Sequence, residues 1–233
     1  MWSGPRNIST AMMRSFSGRA DTFVTDEPFY AHYLNRTGLN HPGRDKIVQS
    51  YKTDYKKIIN DLKGVIPNKK TIWYQKHMAH HIDPLDNLEW TNSVANCLLI
   101  RNPKHVIPSF LKKNILSDIY ELGYHQQLKI FHFHNRQTPI VDAKDILVDP
   151  KGVLLKLCSY FKIEFEKEML LWDKGPHPQD GIWGRYWYDK LWKSTTFSSY
   201  EENNLTIDKK YNHIVEDCVR IYDELYKYRI RMA

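Results

Sequence analysis

The stretch Met1-Trp-Ser-Gly-Pro-Arg-Asn-Ile-Ser-Thr-Ala-Met-Met-Arg-Ser-Phe16 decides how the rest of the chain is read. An apolar start runs into a Gly4-Pro5 turn, then a basic residue, two hydroxyls and a helical run. That order predicts a strand, an anion-binding loop and a helix over 9–17 that stops at Gly18. Amide N–H groups at a helix N-terminus lack partners and sit at the positive end of the helix dipole, so they favour an anion. Arg6 adds a cation, Ser9 and Thr10 add hydroxyl donors, and Asn7 and Ile8 complete the loop. The expected guest is a phosphate or sulfate group. A nucleoside-triphosphatase loop ends in Gly-Lys-Ser/Thr, with the lysine on the outer phosphates and the hydroxyl on magnesium. Here that end reads Ile8-Ser9-Thr10, and the cation comes earlier. Taken alone, the same residues also fit an ordinary capped strand–helix turn.

A second segment supports the anion reading. Asn96-Cys-Leu-Leu-Ile-Arg101-Asn-Pro-Lys-His-Val-Ile-Pro-Ser109-Phe is an apolar strand that ends at an arginine and enters a helix, with Pro103 suited to its first turn. Ser109 falls about two turns into that helix. Here the chain resembles the sulfotransferase superfamily, enzymes that transfer a sulfonate from 3′-phosphoadenosine 5′-phosphosulfate (PAPS). Their 5′-phosphosulfate loop is similar to residues 3–14. Their 3′-phosphate site, an arginine at a strand end with a serine eight positions later, resembles Arg101 and Ser109.

The resemblance extends over most of the chain. Asp26-Glu27-Pro28-Phe29-Tyr30 resembles the acidic segment after the second strand, and Gln75-Lys76-His77-Met78 the Lys/His segment that ends the third. Residues 141–147 followed by 153–158 resemble the fifth strand and its helix. Asp180-Gly-Ile-Trp183, Tyr186-Trp187-Tyr188 and Lys193-Ser-Thr-Thr-Phe197 resemble a bacterial and plant subgroup, some of whose members carry aminotransferase-like names. No signature of a pyridoxal enzyme is visible. The family implies PAPS as co-substrate, held by Arg6, Asn7, Ile8, Ser9, Thr10, Arg101 and Ser109. Lys193, Ser194 and Thr195 resemble late contacts to the same nucleotide.

Composition fits one globular domain spanning 1–233, with 42% hydrophobic and 26% charged residues. The net charge of +7 suits an anionic ligand. Basic residues are dispersed along the chain, which disfavours a nucleic-acid partner. Cys97, Cys158 and Cys218 each lie in apolar or helical runs and read as buried reduced thiols. No apolar run nears the roughly 18 residues of a membrane span, and no signal peptide precedes the first strand. A cytoplasmic protein without a membrane partner is expected. The first strand is either very short or begins upstream of Met1. A homodimer is left open.

Coarse periodicity predicts strands at 22–25, 71–75, 96–100 and 138–142. Helices are predicted at 28–35, 54–62, 103–113, 117–135, 150–160 and 208–230, with loop at 36–50 and irregular chain at 173–206. Alternation of this kind implies an α/β, P-loop-like three-layer sandwich, a parallel sheet with helices on both faces and ligands beyond the C-terminal strand ends. The Gly4 loop, Asp26-Glu27, Lys76-His77 and Arg101 all fall at such ends.

Sulfonate transfer to a hydroxyl or amine of a small-molecule acceptor needs in-line geometry, charge stabilisation on the leaving phosphate and a general base. Lys76 is a candidate to assist at the bridging oxygen. Two bases compete. Glu27 resembles the glutamate of carbohydrate- and tyrosine-modifying members, and His77 the histidine of members that act on small phenols and steroids. In the latter group Lys and His are one residue apart, whereas here they are adjacent. Neighbours on a strand face opposite sides, so His80 or His81 are alternatives and Glu27 is favoured. No metal is expected. The rings at Trp183, Tyr186, Trp187, Tyr188 and Trp192 read either as a clamp tying the C-terminal helix to the sheet or as a lid. Two other readings stay open: a phosphotransferase with a degenerate P-loop, and a non-catalytic nucleotide-binding member of the family.

Overall fold

A computed structural model of the chain describes residues 1–202 and 206–232. Five parallel strands form one sheet: β1 (Trp2–Ser3), β2 (Thr22–Asp26), β3 (Ile72–Met78), β4 (Leu98–Ile100) and β5 (Ile140–Asp142). Their order is β2-β3-β1-β4-β5. Register is set by pairs such as Trp2 with His77 and Leu98, and Asp26 with Lys76. This is the expected α/β sandwich.

Side chains alternate across the sheet with period two. Leu98, Ile100 and Ile140 face one core with Trp2, whereas Leu99 and Val141 face the other with Val24 and Tyr74. Helix α1 (Ser9–Ser17) lays Met12, Met13 and Phe16 on the second core. Burying side chains of this size stabilises by ~1.5–3 kcal/mol each. Helix α5 (Pro103–Leu111) lays Val106, Ile107 and Phe110 on the first. β1 and β4 are therefore neighbours whose following helices depart to opposite faces. A crevice opens between two such strands at their C-terminal ends, and both predicted arginines stand at it.

The helix predicted at 28–35 forms as α2 (Tyr30–Thr37), and the stretch expected to be loop holds α3 (Arg44–Ser50), which buries Ile47. One apolar contact outweighs a run that is otherwise polar and glycine-rich, a signal that periodicity over seven residues does not carry. α4 (Tyr55–Leu62) starts as predicted, with Asp54 Oδ1 accepting from the Lys57 amide at 2.9 Å. The β3 strand runs three residues beyond its predicted end. The long helix expected at 117–135 is divided. A 3-10 turn at Ile119–Leu122 is followed by Gly123 at φ +77° and then by α6 (Tyr124–Phe133). A helix α7 (Ala143–Val148) precedes the predicted α8 (Pro150–Tyr160). Within the irregular stretch, α9 (Gly184–Trp187) and α10 (Asp189–Trp192) are single turns, and residues 203–205 lie outside the described ones. The terminal α11 (Asn212–Tyr226) buries Ile214, Cys218, Ile221 and Leu225, the predicted stripe. Cys97, Cys158 and Cys218 are free and buried.

Candidate active site

The loop after β1 has the backbone of an anion cradle. Arg6 and Ile8 take positive φ, +61° and +57°. Alternating handedness of this kind turns successive amides to one side. The first amide of the region that finds a backbone acceptor is that of Met12, bonded to Ile8 O at 3.1 Å. Those of Arg6 through Ala11 find none among the described residues. Asn7 pins the loop to β4 through Nδ2 and Leu99 O at 3.2 Å. Gly4 is required by space, because a Cβ there would stand 2.4 Å from Leu122 O. Ser9 is buried and Thr10 half-buried beside these amides.

Two arginines converge on the crevice. Arg6 Nε donates to Ser109 Oγ at 2.9 Å, and Arg101 Nη1 donates to Arg6 O at 2.7 Å. The predicted 5′ and 3′ anion sites thus adjoin. Neither guanidinium pairs with a carboxylate among the described residues, although both are half-buried. Burial lowers the pKa of each, and Arg6 adds to the penalty on Arg101. Charges drawn partly out of water are favoured by a partner of opposite sign, so the pair is a local excess of positive charge suited to an anion. Beyond Arg101 lies a cavity of about 230 Å³ that His105, Lys144 and Tyr200 help to line. Lys144 Nζ stands 4.8 Å from the Tyr200 ring centroid. These three were not singled out from sequence; His105, one turn after Arg101 on α5, was the one with a local signal.

The second half of the site is an ionic cluster at the ends of β2 and β3. Asp26 and Lys76 are register partners on one face of the sheet. Lys76 Nζ donates to Asp26 Oδ1 at 2.9 Å, Glu27 Oε1 at 2.6 Å and Tyr188 Oη at 2.7 Å. An ammonium has three donors, and all are committed. The expectation that Lys76 reaches the bridging oxygen of the nucleotide is therefore revised: its side chain serves Glu27. Asp26 and Lys76 side chains are each 1% exposed, whereas that of Glu27 is 11% exposed. Burial raises the Glu27 carboxyl above the ordinary range, with Lys76 opposing and Asp26 adding to the rise.

His77 points away from this cluster. Its ring stacks on Trp2 at 4.3 Å between centroids and lies against Phe29 and Trp90. Strand alternation puts it in the first core, and burial holds its pKa well below the usual value. The expectation that it acts as the base is corrected to a packing role. His81 lies on the Glu27 side, with Nε2 4.0 Å from Glu27 Oε2, and is sandwiched by Tyr30 and Tyr33. His80 packs edge-on to it, and burial pushes its pKa down to about 3.

Ser194 and Thr195 are occupied in their own turn. Ser194 Oγ accepts from Trp172 Nε1 and donates to Leu191 O, and Thr195 O accepts from the Trp172 amide. Lys193 is exposed. The segment reaches the Arg101 cavity further on, at Tyr200 and Glu202. Trp183 and Tyr188 pack on Tyr30, Tyr33, Leu34 and Ile47. The aromatic segment is thus a clamp on α2 and α3, in place of the predicted clamp on the terminal helix.

Residues 1–227 match the sulfotransferase domain family. The chain belongs to that family. As a sulfotransferase domain it is 35% identical over 227 residues to branched-chain-amino-acid aminotransferase-like protein 2 of Arabidopsis thaliana. It is 34% identical over 228 residues to the like-named protein 1 of the same organism. These alignments cover 96% of the domain and 40% of either relative, so the chain spans well under half their length. Among solved structures, the sulfotransferase domain from the Synechococcus PCC 7002 olefin synthase aligns at a TM-score of 0.52 and 14% identity, over 99% of this chain and 94% of that one. That likeness is one of fold. No helix among the described residues is long and apolar enough to cross a membrane.

Proposed function

We propose that this sulfotransferase domain transfers a sulfonate from PAPS to a hydroxyl or amine of a small acceptor. The acceptor oxygen or nitrogen attacks sulfur, the bond from sulfur to the bridging phosphate oxygen breaks, and adenosine 3′,5′-bisphosphate leaves. Glu27 takes the acceptor's proton. The amides from Arg6 to Ala11, with Arg6, Ser9 and Thr10, stabilise charge that grows on the departing phosphate. Arg101 and Ser109 hold the 3′-phosphate, and the cavity past Arg101 receives the nucleoside. The observation that carries the reading is the adjoining pair Arg6 and Arg101, half-buried beside an amide cradle with no carboxylate partner among the described residues. A nucleotide with phosphates on both ends of one ribose answers both positions.

The test is calorimetric titration of adenosine 3′,5′-bisphosphate, ATP and 5′-AMP into the wild type and Arg101→Ala. The bisphosphate is expected to bind at micromolar Kd and to weaken by about 10- to 100-fold without Arg101. No bisphosphate binding, or tighter ATP, would sink the reading and favour a phosphotransferase.

A further inference from the structure

Tyr188 is joined to the acid–lysine cluster from 112 residues away in sequence. Its hydroxyl oxygen accepts from Lys76 Nζ at 2.7 Å and from Trp183 Nε1 at 3.1 Å. A phenolic oxygen has two lone pairs and one proton. With both lone pairs filled, only the proton is left to direct. It faces Asp26 Oδ2 at 2.8 Å, Asp26 Oδ1 at 2.9 Å and Glu27 Oε1 at 3.1 Å. Asp26 is itself anchored, because Oδ2 accepts from the Gly181 amide at 3.0 Å. Every polar atom around Glu27 Oε1 is thus spoken for, while Oε2 has no hydrogen bond among the described residues.

Resting on the reading above, we propose that Tyr188 is a positioning residue for the base: with Lys76 it locks Glu27 Oε1, leaving Oε2 to take the acceptor's proton. The groups facing Glu27 are Asp26 on its own strand end, Lys76 from β3, His81, Tyr30 from α2, and Tyr188. Among the described residues, Lys76 supplies the one formal charge that favours the carboxylate. Tyr188 supplies one proton that Glu27 Oε1 shares with the nearer Asp26 oxygens, and a donor shared with the ionised form still lowers a carboxyl pKa. The backbone of Glu27 sits at φ +41° and is held at both ends, its amide donating to Lys76 O at 3.0 Å and its carbonyl accepting from the Tyr30 amide at 3.0 Å, so what is left to position is the carboxylate.

The experiment is a pH titration of the Glu27 carboxyl by NMR of protein carrying 13C-carboxyl glutamate, with the signal identified by its loss in Glu27→Gln. It uses the whole chain and needs no acceptor. In Tyr188→Phe the midpoint is expected to rise by about one pH unit, while bisphosphate affinity stays within about twofold. A second variant carries 3,5-difluorotyrosine at 188, which keeps the shape and strengthens the donor, and should move the midpoint down. A midpoint that moves in neither variant overturns the proposal and leaves Tyr188 as packing. Should Tyr188→Phe not fold, the fluorinated protein decides alone. Failure of bisphosphate to bind the wild type would defeat the sulfonate-transfer reading, and the carboxyl titration would still report whether Tyr188 governs Glu27.

Discussion

Glu27 occupies a left-handed backbone conformation, φ +41°, that residues with side chains avoid at a cost of order 1–3 kcal/mol. Its amide donates to Lys76 O and its carbonyl accepts from the Tyr30 amide, each at 3.0 Å, while Lys76 and Tyr188 hold its carboxylate. Glu27→Gln keeps the shape and removes the base. Its expected outcome is transfer to an acceptor panel lowered by about 10²–10⁴-fold, with bisphosphate binding nearly unchanged, measured as bisphosphate release from PAPS in single turnover. A fall below tenfold would pass the role of base to His81. At this scale the anion residues were legible because each is announced by its immediate neighbours: Arg6 by the Gly-Pro turn and the helix after it, Arg101 by the end of an apolar strand. The alternation of strand faces already separated His77 from Lys76. The duty of Lys76 was not legible. How many partners an ammonium keeps depends on Tyr188 and Asp26, and no local pattern ties the first of these to β3.

The strand–loop–helix unit from β1 to α1 is the element on which the anion site depends, and it is wedged against the turn before α6. The carbonyl of Leu122 occupies the space that a Cβ at Gly4 would need. Gly4→Ala is expected to destabilise by about 1–3 kcal/mol in urea unfolding and to weaken bisphosphate binding at least tenfold, because the loop must shift to relieve the contact. An alanine variant equal to wild type in both measurements would show that the loop yields. Helix α1 was read with its observed limits because the Met12, Met13 and Phe16 stripe and the loop before it agree. The stop at Gly18 is the expected one, and with φ −69° the glycine is required there by the close carbonyl of Glu168. Helix α6 was overextended. Apolar spacing continues through Gly123, and the break comes from that residue's positive φ, after a 3-10 turn opened by a capping box at Asp118 and Glu121.

For the molecule as a whole, the sheet order and the two cores follow from alternation within strands and from which face each helix covers. The fold was therefore the most legible part. What escaped was chain without periodicity, chiefly 36–50 and 173–202, where aromatic packing on α2 and α3 decides the path. One buried acid couples the whole fold to pH. Asp142 caps α7, accepts from Tyr222 Oη at 3.0 Å, and is raised by burial from the ordinary 3.8 to about 6. The folded state then holds this proton more tightly than the unfolded chain. Its stabilising effect is full below about pH 3.8 and is lost as pH climbs through about 6. Asp142→Asn should erase that slope, gaining on wild type by up to about 3 kcal/mol between pH 4 and pH 7 in urea unfolding. Parallel curves for the two proteins would place the raised acidity elsewhere. The unpaired arginines have a consequence of another kind. Folding in the absence of ligand must confine Arg6 and Arg101 side by side, and whatever anion joins them relieves that repulsion; a ligand at a hundredfold its Kd adds about 2.7 kcal/mol. Proteases in a cell sample the unfolded fraction. On the proposed reading, the lifetime of this protein follows the supply of its nucleotide, so that a cell starved of activated sulfate degrades the enzyme along with losing its substrate.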